Sequence, residues 1–299
     1  MNIEVNRQNL KFLECFASET RIHIIELLNE RPMNIKDLAE ALGISSAIVT
    51  KHIQKLEEVS IITTESVPST RGRQKLCYLT LETASLQFRA KRKADHNGYN
   101  VSIPIGQYSA YEVKPTCGLC SDSKIIGIVD DPRYFSDPEH VKAKHLWFGS
   151  GYIEYRIPNY LVGKQTVSSI SLSLEMCSEA PHYNENWPSD LYFYLNDVCL
   201  GMWTCPGDFG AARGVYTPDW WDLGTQHGLL KQITVDSEGS FIDGIRMSDK
   251  TVKELAFRYG EDIRFRISAP ESAENSGGLS LFGRQFGNYD QDIQVSIAY

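Results

Sequence analysis

No run in this chain is long and apolar enough to span a bilayer, and Met1-Asn2-Ile3-Glu4-Val5 lacks the basic start and apolar core of a secretion signal. Both absences predict a cytoplasmic protein with no membrane partner. Cysteine supplies no framework either. The seven thiols are an odd, scattered set, which fits reduced side chains better than disulfides. Nucleophile elbows, phosphate-binding loops and paired metal-ligand motifs are missing, and with them the common signatures of hydrolases, nucleotide enzymes and metalloenzymes. There is no internal repeat. Tryptophan is missing only locally: none of the five precedes Trp147.

What is present is the composition of a folded chain, 42% apolar and 23% charged over 299 residues, long enough for two domains. Charge is placed unevenly. Residues 1–93 hold 14 Lys+Arg against 11 Asp+Glu, a balance of +3, whereas residues 94–299 hold 16 against 27, a balance of −11. The overall −8 therefore says little about whether the first region meets a polyanion.

From Gln8 to Glu58 the apolar spacing is helical. Ser18 is placed to cap a helix through Ile22, Ile25 and Leu28 that ends near Pro32. Asn34 opens the next, with Asp37 at capping-box spacing, and Gly43 closes it. Ser45 or Ser46 caps a third, reaching about Glu58. The segments 61–67 and 75–79 are strand-like, joined by a Gly-containing tip, and 81–92 returns to a helical pattern.

On the third helix Val49, Ile53 and Leu56 share one face. Ser46, Ala47, Thr50, Lys51 and Gln54 gather on another, with Ser45 at the helix start and Lys55 nearby. Small residues allow close approach to a groove, Thr and Gln can address base edges, and the lysines can reach phosphate or guanine. Arg71, Arg73 and Lys75 lie at or beside the following tip with no acid between them, suited to backbone phosphate or the minor groove. Taken singly, a solvated helix face or an ordinary polar turn explains each feature. Together and in this order they point to double-stranded DNA.

The residues Ala17 to Leu28, Ile35 to Ser45 and Val49 to Glu57, with the strands after them, resemble the ArsR family of winged-helix repressors. The resemblance covers about the first third of the chain. It implies a homodimer that sets the 45–58 helix in successive major grooves of an inverted-repeat operator, wings alongside. Two departures follow. Ser60 stands where the family often has glycine, which predicts a strained turn after the recognition helix. The family's metal-sensing cysteine pair is missing from this helix, and Cys15 and Cys77 make no ligand cluster. His52 borders the packed stripe and is read as a packing residue.

Beyond Tyr99 the chain reads as many short strands. Alternation in 151–158 and a hairpin around Asn196-Asp197 point to an all-β antiparallel sandwich of the jelly-roll kind. We read residues 1–92 as an α+β winged-helix DNA-binding domain, 93–100 as a linker and 101–299 as an effector-sensing β-sandwich. Loops rich in Trp, Asp and Arg make Trp187, Asp190, Asp208, Arg213, Trp220, Trp221 and His227 the candidate ligand residues. Their types suit a small-molecule effector, a saccharide by preference, although Trp and Tyr also serve as sandwich core and Arg213 could simply pair with Asp208. This half resembles the C-terminal extension of a group of long ArsR-like regulators, which implies a regulatory role and names no ligand.

Cys117-Gly-Leu-Cys120 could hold half a zinc site with His140 or His145 downstream, but nothing completes the spacing, and two unligated thiols are the expectation. No cofactor is called for. The competing reading is a glycosidase-type domain using Glu175, Asp190 and Asp208 as acid and base, which needs two carboxyls about 5–10 Å apart across a cleft. Regulation by effector binding requires two dimer arrangements of different effector affinity, coupled through the segment near 89–98.

Overall fold

Local capping rules build the helices of the first unit: α1 (Leu10–Cys15), α2 (Glu19–Glu30), α3 (Ile35–Leu42) and α4 (Ser46–Glu58). The computed structural model describes residues 2–69, 72–81, 84–88, 97–222 and 224–299. It divides into two compact units, Met1–Asp95 and His96–Tyr299. Ser18 and Asn34 are the residues before α2 and α3, and Asn34 accepts the Asp37 amide with its side chain (2.9 Å). Gly43 ends α3 in the left-handed region at φ 65°, and the Ile44 amide reaches back to the Ala39 carbonyl (3.1 Å). Ile24, Leu38, Val49, Ile53, Leu56 and Ile61 form the buried centre. Arg21 is buried too. Its Nε donates to the Cys15 carbonyl (3.0 Å) and its Nη2 to that of Glu14, tying α2 to the negative end of α1.

The strands of this unit are β1 (Asn2–Glu4), β2 (Met33–Asn34), β3 (Ile62–Ser69), β4 (Gly72–Leu79) and β5 (Ser85–Gln87). Antiparallel β3 and β4 make the wing, and β2 adds to β4. The helix expected over 81–92 is not formed at Ser85–Gln87, which instead pair in parallel with Asn2–Glu4. Hydrogen bonds from a distant strand override the local period there. Residues 89–96, which include most of the expected coupling segment, lie outside the described residues.

Ser60 confirms the expected strain. It sits at φ 59°, its amide donates to the Glu57 carbonyl (3.0 Å), and the Ile61 amide donates to Leu56 (3.0 Å). This pair of bonds closes α4 around one left-handed residue, a position glycine fills without a Cβ clash. Ser60→Gly is therefore expected to raise the stability of the first unit by up to about 1 kcal/mol, measured by urea unfolding. A loss of stability would mean the serine is not strained.

In the second unit β6 (Gly98–Ile103) already includes three residues of the segment read as linker. There follow β7 (Ala110–Cys120), β8 (His145–Ile157), β9 (Ser169–Cys177), β10 (Ser189–Leu195) and β11 (Val198–Cys205). The remainder are β12 (Leu229–Val235), β13 (Ser240–Ile242), β14 (Ile245–Ser248), β15 (Ile263–Ala269), β16 (Leu279–Phe282) and β17 (Ile293–Ala298). Two antiparallel ladders result, β7-β8-β15-β10-β11 and β6-β17-β9-β12-β13-β14. Both contribute side chains to one core, as sandwich layers do, but β16 pairs with both β8 and β9. At the far side the Ser248 hydroxyl of β14 donates to the Leu200 carbonyl of β11 (2.6 Å). The domain is thus one large antiparallel sheet, nearly a barrel. Tyr155, Phe148, Phe193, Phe265 and Phe282 fill it.

Asn196 and Asp197 both have positive φ (47° and 66°), the backbone of a two-residue turn whose twist matches its strands. The half-buried alternation expected in β8 is only partial. Glu154 is covered because Arg266 lies across it, with Nε and Nη2 donating to Oε2 (2.9 and 2.7 Å). Among the described residues no helix is long and apolar enough to cross a membrane.

Candidate nucleic-acid interface

The N-terminus of α4 is set by Ser45, whose hydroxyl oxygen accepts the Ile48 amide (3.4 Å). One turn later the Thr50 hydroxyl donates to the Ser46 carbonyl (2.7 Å). Val49, Ile53 and Leu56 are buried, while Ser46, Ala47, Lys51, Gln54 and Lys55 are exposed and Thr50 is half-buried. The small and cationic face is open. Among the described residues neither Lys51 nor Lys55 has an ion-pair partner within 4 Å. The acids of α4 are engaged at its far end: Glu57 accepts from the Thr64 hydroxyl (2.5 Å) and Glu58 pairs with Lys11. The positive end of the helix dipole and Lys51 thus face outward without local neutralisation.

His52 is half-buried. Burial, then the nearby Arg21 and Lys55 charges, hold its pKa below the usual imidazole value, which suits a packing residue. Cys77 is buried, which pushes its thiol up to about 11.

The wing gives a different picture from the expected cluster of free cations. Arg73 folds across the hairpin, Nε donating to the Ser66 hydroxyl (2.8 Å) and Nη2 to the Ser66 carbonyl (2.9 Å). It fixes the shape of the wing, and Lys75 remains exposed beside it. Arg71 lies outside the described residues. Sequence reasoning gave no place to Ile48, which is 46% exposed on the open side of α4. The available signal was its offset, a quarter-turn away from Val49.

In the second unit, Cys117 and Cys120 lie in a regular stretch of β7, paired with Phe148 and His145. Three residues apart on a strand, they point to opposite faces, a geometry that does not chelate one ion. Burial raises the Cys117 thiol to about 12. His140 Nδ1 sits 2.7 Å from the Gly106 carbonyl. His145 is enclosed by Trp147, Trp221, Phe282 and Phe286, stacked on Phe282 at 4.6 Å. Among the described residues no three His, Cys, Asp or Glu side chains gather as a metal site.

Of the seven candidate ligand residues, Asp190, Asp208 and Trp221 are buried and the other four are half-buried or exposed. Asp190 is buried and accepts from the Thr204 hydroxyl (2.7 Å) and from the Asn275 backbone and side-chain amides (3.0 and 3.1 Å). Burial opposes its charge, but these donors outweigh it and leave the pKa low. Asp208 is fully buried, Oδ2 accepting from the Ala180 amide and the Thr225 hydroxyl (3.0 Å each). Burial pushes it up to about 7. Trp221 is core, its Nε1 donating to the Thr225 carbonyl (2.9 Å). Arg213 pairs loosely with Asp219 and Asp222 (3.8 and 3.9 Å), not with Asp208. Trp220, half-buried, donates to the Asp122 carbonyl (2.6 Å). His227 stacks on Phe209, and Trp187 is exposed.

The acid–base trio fares no better. Glu175 is fully buried and accepts the amides of Gly228, Asn288 and Tyr289 (2.8 to 3.1 Å). All three carboxyls are thus buried and accept hydrogen bonds from within the fold. Two surface hollows of about 210 and 330 Å³ are lined by Asn196 with residues 256–258 and 261–264, and by Arg133, Tyr134, Ser136 and Asp137, and neither includes a candidate residue.

Comparison with known proteins finds a family match in the first unit. Residues 18–64 match the model described as bacterial regulatory protein, arsR family. The chain is 33% identical over 58 residues to an uncharacterised HTH-type transcriptional regulator of Methanocaldococcus jannaschii. That match covers 19% of this chain and 61% of the relative, so the chain spans about three fifths of it. Among solved structures, a double mutant of ZitR from Lactococcus lactis is 36% identical, covering 21% of this chain and 42% of that one with a TM-score of 0.19. The adhesin competence repressor AdcR from Streptococcus pyogenes is 32% identical, covering 25% and 56%, with a TM-score of 0.20.

Proposed function

We infer, from the ArsR-family helix-turn-helix that residues 18–64 form, that this chain is a DNA-binding transcriptional regulator acting in the cytoplasm. The observation that carries the reading is the open face of α4. Ser46, Ala47, Lys51 and Gln54 are exposed opposite the buried Val49, Ile53 and Leu56, with no acid paired to the lysines among the described residues. A homodimer would set two such helices about 34 Å apart, one turn of duplex, on an inverted-repeat operator, and bound there it would act as a repressor. Lys75 and Arg71 would meet phosphate from the wing, and Arg73 would hold the wing in shape.

The test is direct. Lys51→Ala and Lys55→Ala are each expected to weaken binding to the chain's own promoter and to reduce the salt dependence by about one unit of slope per lost phosphate contact. Unchanged affinity and slope in both variants would remove α4 as the DNA surface.

The second unit would act as the effector sensor. A saccharide keeps the support of the exposed Trp187 and the surface groups Arg213, Trp220 and His227, while Asp190, Asp208 and Trp221 leave that list because they are built into the fold. A sugar that binds should raise the unfolding temperature of the full chain. A panel of sugars with no shift would withdraw the saccharide.

A further inference from the structure

Ile48 is the large apolar side chain that α4 leaves in solvent, 46% exposed. A single exposed isoleucine is ordinary on a protein surface, so its placement has to carry the meaning. It stands three residues before Lys51 and seven before Lys55, on the flank of the open face of α4. The first turn is pinned at this point, because the Ile48 amide is the one that the Ser45 hydroxyl caps. Being β-branched, Ile48 has little χ1 freedom to lose in a helix. The side chain is therefore stiff, outward and apolar on a surface otherwise built of hydroxyl, amide and ammonium groups. In the major groove, the base-edge group that rewards hydrocarbon is the 5-methyl of thymine.

We propose that Ile48 determines specificity within the DNA-binding surface by packing on a thymine methyl in each operator half-site. This rests on the regulator reading above. Sequences with cytosine at that position would be bound more weakly, because cytosine carries only a hydrogen at C5 where the methyl stood.

The experiment uses the full chain and a duplex that it enriches from a random pool. Each thymine of that duplex is replaced in turn by deoxyuridine, which removes one methyl and leaves the pairing edge intact. Wild type is expected to lose about four-fold in affinity per half-site at one position, the worth of one buried methyl. Ile48→Ala should be weaker on the parent duplex and indifferent to that replacement, and Ile48→Val should fall between. A flat uracil scan, or equal losses in wild type and Ile48→Ala, overturns the proposal. So does a change of oligomeric state in Ile48→Ala, which would place the side chain between subunits. If the scan is flat while Lys51→Ala still loses affinity, only Ile48 is misassigned. If no duplex is enriched, the regulator reading falls as well.

Discussion

Glu175→Gln is expected to lower the stability of the second unit by about 2–3 kcal/mol, which for a unit of this size is a fall of roughly 5–10 °C in its unfolding midpoint. The reason is the direction of the surrounding hydrogen bonds. Oε1 accepts from the Gly228 and Asn288 amides (2.8 Å each), and Oε2 accepts from those of Asn288 and Tyr289 (3.1 and 3.0 Å). Every partner is a donor. A glutamine keeps one oxygen but turns an NH₂ toward the other amides, leaving donor against donor in a fully buried site. Burial pushes the Glu175 pKa up to about 7, against the pull of those amides. Its carboxyl proton, where present, likewise finds no acceptor among these partners. Because the buried carboxyl nevertheless keeps its proton to higher pH folded than unfolded, the advantage of Glu175 over glutamine should shrink as the pH rises toward 7 and level off above it. Far-ultraviolet melts at pH 6 and pH 8 read both effects. A Glu175→Gln protein as stable as wild type at pH 8 would mean that the loops carrying Gly228 and Asn288 do not depend on this acceptor.

Glu175 also shows why part of the molecule was legible in the sequence and part was not. Ser45, Asn34 and Gly43 could be read because a cap and a left-handed stop act on residues within four positions, and the chain states both partners at once. The Asn196-Asp197 turn and the exposed face of α4 were readable for the same reason. The partners of Glu175 lie 53, 113 and 114 residues away, and those of Asp190 lie 14 and 85 away. A carboxylate that completes a distant loop has the same composition as one that waits for a substrate. Trp221 and Glu154 misled in the same manner, since their covers, the cluster around His145 and the Arg266 side chain, come from other strands. The strand at Ser85–Gln87 was hidden because three residues carry too little period to reveal a partner at Asn2–Glu4. Sequence placed the DNA-facing helix well and the second unit's polar groups poorly, because the first depends on local spacing and the second on topology.

His145→Phe is expected to change how stability depends on acid, by an amount that increases as pH falls. His145 is fully buried, among the described residues neither ring nitrogen has a hydrogen-bond partner, and the rings of Trp147, Trp221, Phe282 and Phe286 lie around it. Burial alone lowers its pKa from 6.5 to about 3. Between those values the unfolded chain takes up a proton on this residue and the folded chain does not, so stability is lost as pH falls through that window. The loss approaches about 1.4 kcal/mol for each pH unit. Phenylalanine has no proton to bind and can take the same place in the stack on Phe282. Its larger ring adds a packing offset of either sign, but that offset does not vary with pH. Asp208 and Glu175, both raised by burial to about 7, act in the opposite sense, losing their contribution as pH rises toward 7. They are common to both proteins and cancel in the difference. The difference in unfolding free energy, from denaturant titrations at pH 7, 6, 5 and 4, should thus grow in favour of His145→Phe by about 3 kcal/mol across the series. Parallel curves would show that water or a charged partner reaches His145 in the folded protein, which would dismantle the dry aromatic cluster around it.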